Sequence, residues 1–395
     1  MTSPSNASNP APSWRPLSPT ERAVAIEVLT NGPSSRSEIA RRLGMSGGSL
    51  TRLAKPLIDS GLLLEVHQPP QGLTVTLGQG RPGRPLDIVT DPWHFVGLKI
   101  TGDTVYGVVT TLKSTVVRRE DRVLESHEPE AVADAAHSIV RSFSEDFPQL
   151  AGIGVGIGGS VRDRSVAVDA PWLHWQDVPF ADLLRDRTGL PVVLENDVAA
   201  LVEAETWFGA GRGYDRFAVL TIGAGVAYSL VIGGEPIRPS DNYTGTAERW
   251  ILDPNGPLTP YGERGSATSL LTVQSIEYQV RAATGRWVGY EEILEAAGDG
   301  EPAAARVVDE AARGLGFLIA QIANFAMPEK ILLAGEGVGL MDVAGEKVHE
   351  SLAANRNPLA DPVNLETKVS DFHDWARGAA VLAIQVLVLG GAAED

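Results

Sequence analysis

Residues 37–66 read SEIARRLGMSGGSLTRLAKPLIDSGLLLEV, an order that few arrangements accommodate. Ser37 can cap a short helix with Glu38 in its first turn, and Ile39, Ala40 and Leu43 give that helix an apolar face. Gly44-Met45 makes a tight turn. Ser46 caps a second helix, in which Leu50, Leu53 and Leu57 recur at i, i+3 and i+7 and point inward. The outward positions of its first turns are Gly47, Gly48, Ser49, Thr51 and Arg52, which are small or hydrogen-bonding, and Arg52 can reach a base edge or a phosphate. Two helices joined by a glycine turn, the second with a polar front, match the helix-turn-helix pattern. Gly61-Leu62-Leu63 then ends the helix and starts an apolar strand, as a winged version needs. A three-helix packing module is the alternative. On the first reading Ser46, Ser49, Thr51, Arg52 and Lys55 are the candidate DNA contacts of the second helix.

The flanking residues complete a head. Ser18-Pro19-Thr20 precedes a helix over residues 21–30, stopped by Asn31-Gly32-Pro33. Pro56 removes one hydrogen bond from the recognition helix and should kink or shorten it. Residues 62–67 and 73–77 read as the two strands of a wing. Then come two Gly-Arg-Pro triplets, Gly80-Arg81-Pro82 and Gly83-Arg84-Pro85, with little bulk near the backbone. Arg81 and Arg84 on such an arm suit the negative potential of a narrow minor groove. A stiff inter-domain linker is the alternative for the same residues, and both can hold together. The expected organisation is a disordered tail at 1–16, a winged helix-turn-helix at 17–78, the arm or linker at 79–92 and an effector domain at 93–395.

Charge follows this division. The formal net charge is -17, yet through Thr90 nine basic residues outnumber six acidic ones, leaving -20 for the remainder. A mildly basic head on an acidic body confines contact with a phosphate backbone to the head. There are no cysteines, so neither a disulfide framework nor a thiolate metal site can form. No apolar run reaches the length of a membrane span, and the Ser/Pro/Asn-rich start lacks the features of a signal peptide. The expected location is the cytoplasm.

From Phe95 the pattern becomes α/β. Strands are expected at 96–100, 104–110 and 114–124 as a meander, followed by a helix at 130–147 and a buried strand at 151–157 that runs into Gly158-Gly159. A helix at 179–188 and a strand at 191–195 lead to Glu195-Asn196-Asp197, and the helix at 198–208 ends in Gly-Ala-Gly-Arg-Gly at 209–213. Strands at 217–222 and 227–232 flank Gly223-Ala224-Gly225. Helices at 272–284, 290–297 and 302–326, a strand at 330–333 followed by Ala334-Gly335-Glu336-Gly337, and a helix at 376–389 complete the pattern.

A winged helix-turn-helix, an arginine-proline hinge and PVVLENDVAALVEAETWFGAGRG at 191–213 together resemble the ROK family of repressors and sugar kinases, over roughly residues 18–389. The resemblance implies an actin/hexokinase-like pair of α/β lobes, and for the regulators a dimer or tetramer that binds operator DNA and releases it on binding a sugar. It places Asp197 at the family's general base. Lys99 stands where the kinases carry the first carboxylate of Asp-x-Gly-Gly-Thr, and the second phosphate turn survives as Gly223-Ala224-Gly225 without its hydroxyl. Phosphoryl transfer needs that apparatus as a set, so no catalytic residue, cofactor or metal is expected and Asp197 is vestigial.

For the sugar site the resemblance carries over Gly159, Asn196, Asp197 and Glu248. The family's histidine is replaced by Ile251, the glutamate after its zinc loop by Thr268, and two cysteine positions by Tyr261 and Ser266. Two readings of the survivors stay open. Asn196 and Asp197 either cap the following helix as inherited scaffold, or line an altered carbohydrate pocket in which Trp172, Trp175 or Trp250 stacks on a ring. The expectation is a DNA-binding regulator with a non-catalytic, sugar-kinase-like sensor; a sugar kinase and a regulator without sugar control are the alternatives.

Overall fold

The computed structural model describes residues 14–66, 84–238, 247–259, 262–369 and 371–390. Helix α1 (Pro19–Asn31) starts at a reciprocal cap: Glu21 N donates to Ser18 Oγ at 3.3 Å and Ser18 N donates to Glu21 Oε2 at 3.0 Å. Helix α2 (Arg36–Arg42) begins two residues earlier than a Ser37 cap would set it, because Ser35 accepts from Glu38 N at 3.2 Å. Helix α3 (Gly47–Asp59) is capped by Ser46 as its sequence suggests. It buries Leu50, Ala54 and Leu57, while Leu53 is half-buried. Pro56 lies inside α3 without ending it; the helix continues to Asp59 with one N–H fewer.

The strand after α3 finds its partner farther along than the wing pattern suggests. Strand β1 (Leu63–Glu65) pairs antiparallel with β2 (Leu86–Ile88), Leu63 opposite Ile88. Strand β2 falls in the stretch read above as arm or linker, and Leu86 also exchanges two backbone hydrogen bonds with Ser34. Its side chains explain the pairing: Leu86 and Ile88 are both buried against the head. The expected strand at 73–77 and Arg81 lie outside the described residues.

Strands β3 (His94–Ile100), β4 (Thr104–Thr111) and β5 (Val116–Val123) form the expected meander. Helix α4 (Pro129–Asp146) then returns the chain to β6 (Leu150–Ile157), which lies parallel to β3. A small antiparallel sheet follows, made of β7 (Ser160–Arg162), β8 (Val166–Ala170) and β9 (Trp175–Val178), and sequence periodicity gave no sign of it. Helix α5 (Phe180–Thr188) leads to β10 (Val192–Asn196), parallel to β6, and then to α6 (Asp197–Phe208). The main sheet has the order β10-β6-β3-β4-β5. On one face Val96, Leu98, Ile100, Ile153 and Val155 pack with α4 and α5 through Ile139, Phe143 and Leu184.

The chain divides into two compact units, parting after Ala200 and returning to the first unit at Ala376. The second unit repeats the connectivity of the first. Strands β11 (Arg216–Ile222), β12 (Val226–Ile232) and β13 (Glu235–Pro236) form a meander. Helices α7 (Ala267–Leu271), α8 (Val273–Thr284), α9 (Tyr290–Gly298) and α10 (Pro302–Phe325) follow, then β14 (Lys330–Ala334), α11 (Leu340–Ala354) and β15 (Leu365–Thr367). Strands β14 and β15 extend the sheet in parallel, giving β13-β12-β11-β14-β15. Each sheet is thus a three-stranded meander with two parallel strands added beside its first strand, the pairing expected of an actin/hexokinase-like molecule.

Helix α12 (Phe372–Leu387) closes the other face of the first sheet. That face is almost bare. A Cβ on Gly154 would lie 1.8 Å from the Ala379 carbonyl oxygen, and one on Gly97 would lie 1.9 Å from that of Ala376. Glycines on the strands and alanines on the helix therefore bring the two backbones into direct contact. Arg377 of α12 donates from Nε to Ser114 Oγ at 2.8 Å and to Ser114 O at 3.0 Å. Next to it, Lys113 pairs with Asp87 of β2 at 2.6 Å. The turn between β4 and β5 thus touches both α12 and the head.

Candidate functional site

The candidate DNA contacts share one helix but differ in availability. Arg52 and Lys55 are exposed, and neither makes an ion pair among the described residues. Ser46 accepts from Ser49 N at 3.1 Å, and the two hydroxyls lie 2.9 Å apart. Thr51 turns its hydroxyl back to Gly47 O at 2.9 Å. The two serines and the threonine therefore build the start of α3, and Arg52 and Lys55 carry its exposed positive charge. Arg84 is held against the head instead: its guanidinium lies 3.6 Å from Glu65, and its carbonyl accepts from Arg36 at 3.1 Å.

In the first unit the turn Gly158-Gly159 follows β6 and faces the start of α6. Gly159 has φ +143°, and a Cβ there would lie 2.0 Å from Asp169 O, so only glycine lets β6 turn this closely past β8. Asn196 ties the turn to the helix: its Nδ2 donates to Gly159 O at 2.8 Å, and its Oδ1 accepts from Val198 N at 2.9 Å and Ala199 N at 3.1 Å. Its side chain is a helix cap, as the scaffold reading expects. Asp197 Oδ1 accepts from Val198 N at 2.8 Å, while Oδ2 accepts a charged hydrogen bond from Lys99 Nζ.

Lys99 reaches Asp197 because of an absent side chain between them. Lys99 on β3 is in register with Gly156 on β6, and a Cβ on Gly156 would come within 3.6 Å of Asp197 Cβ. With glycine there, the lysine stem crosses β6 to the start of α6. The pair is nearly closed to solvent, its side chains 7% and 13% exposed. Asp197 Oδ2 is thus engaged with an ammonium.

The tryptophans separate clearly. Trp175 is core, 3% exposed, with Nε1 donating to His127 O at 2.6 Å. Trp172 is 43% exposed and lies beside Gly158. Trp250, in the second unit, is partly exposed against Tyr228, their rings 5.5 Å apart.

In the second unit Gly223-Ala224-Gly225 joins β11 to β12, and a carboxylate has settled on it. Glu336 Oε1 accepts from Ala224 N at 2.6 Å, and a Cβ on Gly223 would sit 2.2 Å from Glu336 Cδ. The backbone donor that such a turn offers to an anion is taken by the protein's own side chain. On the other side, a Cβ on Gly225 would lie 3.1 Å from Glu248 Oε1. The Glu248 carboxyl is held above the usual carboxylate range, first by partial withdrawal from water and then by the nearby charge of Glu263.

Thr268, at the position of the second glutamate, donates Oγ1 to Glu248 O at 3.1 Å and so buttresses the backbone. Ser266, at a cysteine position, is buried and caps α7. Hydrogen bonds from Leu252 N to Gly265 O and from Gly265 N to Pro257 O, both 2.8 Å, hold this loop. Among the described residues no three His, Cys, Asp or Glu side chains gather as metal ligands, and no helix is long and apolar enough to cross a membrane. Tyr261 lies outside those residues.

Glu336 escaped the sequence reading. Its signal was a carboxylate set between two glycines directly after a buried strand. Its partner, Ala224, is 112 residues away, and no local pattern joins them.

A sequence model described as the ROK family matches residues 95–386. The xylose repressor of Bacillus subtilis is 26% identical over 252 residues, 62% of this chain and 63% of the repressor, so the match spans less than two thirds of that protein's length. The glucokinase of Thermotoga maritima is 29% identical over 228 residues, 55% of this chain and 69% of the kinase. Among solved structures, a ROK family transcriptional regulator, a homologue of the Escherichia coli MLC protein, superposes with a TM-score of 0.78 at 22% identity, covering 94% of this chain and 96% of that one.

Proposed function

The chain belongs to the ROK family, and from that premise we propose that it is a DNA-binding transcriptional repressor whose ROK domain senses a carbohydrate without phosphorylating it. The observation that carries this reading is the Lys99–Asp197 pair, a general-base position neutralised by a lysine that reaches across β6 from β3. Glu336 on the Ala224 amide supports it, because a phosphoryl oxygen arriving there would meet a carboxylate. Kinases and repressors both lie among the relatives, and these two contacts favour the repressors.

In this reading α3 enters the major groove with Arg52 and Lys55 foremost, while Ser46, Ser49 and Thr51 shape its start. Arg81 and Arg84 belong to an arm for the minor groove, and Arg84 gives up its 3.6 Å contact with Glu65 to enter it. Two heads act together, since helix-turn-helix sites come as paired half-sites, which makes the working form a homodimer or homotetramer. The setting is the cytoplasm, where the DNA is. In the first unit Gly159, Asn196 and Asp197 are the proposed carbohydrate-sensing residues, the asparagine chiefly by fixing the backbone; Glu248 is the one proposed in the second unit.

The test is selection of duplex DNA from a random pool by the full chain, with ADP release measured in parallel on D-glucose and D-xylose. A recovered consensus and no ADP release are expected. Arg52→Ala should then weaken the selected site by about 1–3 kcal/mol, the worth of a base contact. Arg81→Ala/Arg84→Ala should weaken all sequences and flatten the salt slope by up to ~2. Sustained ADP release would overturn the reading in favour of a kinase. An unchanged salt slope in the arm variant would leave residues 79–92 as a linker.

A further inference from the structure

Three tryptophans were candidates for a carbohydrate platform, and their surroundings differ enough to choose among them. Trp175 is committed to the core, and Trp250 packs on Tyr228. The indole of Trp172 lies along the Gly158 turn: Cδ1 and Nε1 are 3.0 and 3.4 Å from where a Gly158 Cβ would be, and Asp197 Oδ2 is 3.6 Å from the same point. An exposed aromatic ring and a carboxylate thus meet over one glycine, and any side chain at 158 would push the ring away.

The ring is also held in place. Residues Pro171–Leu173 form a single 3-10 turn, with Leu173 buried at its end and Ala170 packed beneath Gly159, where a Cβ would come within 2.9 Å of the Ala170 Cα. The Trp172 carbonyl oxygen lies 3.1 Å from a Cβ position on Gly102, so the turn is wedged against the hairpin between β3 and β4. An exposed tryptophan on a braced backbone loses little freedom when a ligand covers it.

We propose that Trp172 is the stacking platform of the effector site, receiving the apolar C–H face of a sugar ring whose hydroxyls reach Asp197 at the same turn. The chemistry suits that ligand class. A pyranose offers one apolar face and a rim of hydroxyls, each both donor and acceptor, while a carboxylate keeps acceptor capacity beyond the two bonds Asp197 already makes. The indole supplies area and the carboxylate supplies orientation. The proposal rests on the carbohydrate-sensing reading above and assigns it a binding residue.

The experiment is thermal unfolding of the full chain titrated with D-xylose, D-glucose, xylobiose and cellobiose, for the wild type, Trp172→Ala and Trp172→Phe. A midpoint that rises with at least one sugar is expected in the wild type. Trp172→Ala should need about tenfold more of that sugar for the same rise, and Trp172→Phe should stay within about threefold, since a ring remains. Sugar should also change tryptophan fluorescence in the wild type but much less in Trp172→Phe at matched occupancy, a difference that a purely structural residue would not produce. Equal affinity in wild type and Trp172→Ala would overturn the platform and leave the sensing reading intact. A wild type indifferent to all four sugars, with DNA binding preserved, would overturn both.

Discussion

Lys99→Met should lower the unfolding free energy by about 3–5 kcal/mol, and Asp197→Asn by a similar amount, while the double variant should return to within about 1 kcal/mol of the wild type. The reason is the burial of the pair, whose two side chains are 7% and 13% exposed. Removing either member leaves a charge in a place chosen for a neutral pair. Removing both removes the problem, and asparagine at 197 still offers an oxygen to Val198 N, the bond Asp197 Oδ1 now accepts. Urea unfolding of the four proteins closes the cycle. Strict additivity of the two single losses would show that the charges do not depend on each other, and the argument against a working base at Asp197 would fall with it.

Gly154→Ala is the second large effect. The added methyl would meet the Ala379 carbonyl oxygen at 1.8 Å, so α12 must move away from β6. Overpacking of this kind costs typically about 1–3 kcal/mol and occasionally more; a collision with backbone belongs at or above the top of that range. Two comparisons sharpen the measurement. Ala379→Gly should not rescue the variant, because the obstacle is a carbonyl and not a side chain. Gly298→Ala, whose new methyl would have its nearest neighbour 4.0 Å away, should be neutral or mildly stabilising at the end of α9. Rescue by Ala379→Gly would mean that the helix and strand approach through side chains after all.

Most elements were legible because their residues carry the period themselves. The alternation of glycine with Ile153, Val155 and Ile157 marks β6 as a strand with one bare face, and Leu50 and Leu57 mark the buried side of α3. What the sequence hid depends on distance or on choice among equals. Ser35 and Ser37 can both cap α2, and it is Ser35, next to the Ser34–Leu86 bridge, that does. Strand β2 is three residues long, and its partner lies beyond the Arg-Pro stretch, so no local pattern announces it. Strand β15 is short, with two of its three residues exposed, and shows almost no period.

The candidate site shows the same division. Lys99, at a position where the resemblance implies a carboxylate, was visible in the sequence, but its pairing with Asp197 depends on Gly156, a residue of another strand that matters by having no side chain. Asn196 was found for its position, and the structure assigns it a cap's work. Among the tryptophans only burial distinguishes Trp172 from Trp175, three residues apart, and burial is a property of the folded chain.

Glu336 also bears on the evolutionary traffic between repressor and kinase. A turn that binds an anion offers it free backbone amides, whereas here the Ala224 amide is already satisfied by Glu336. Replacing Glu336 alone would strand that donor, and replacing Lys99 with aspartate alone would set a second carboxylate against Asp197. Each change alone passes through a less stable intermediate. On the non-catalytic reading proposed for this chain, the two contacts act as a ratchet, resisting any gain of catalysis by the same bonds that hold the fold together.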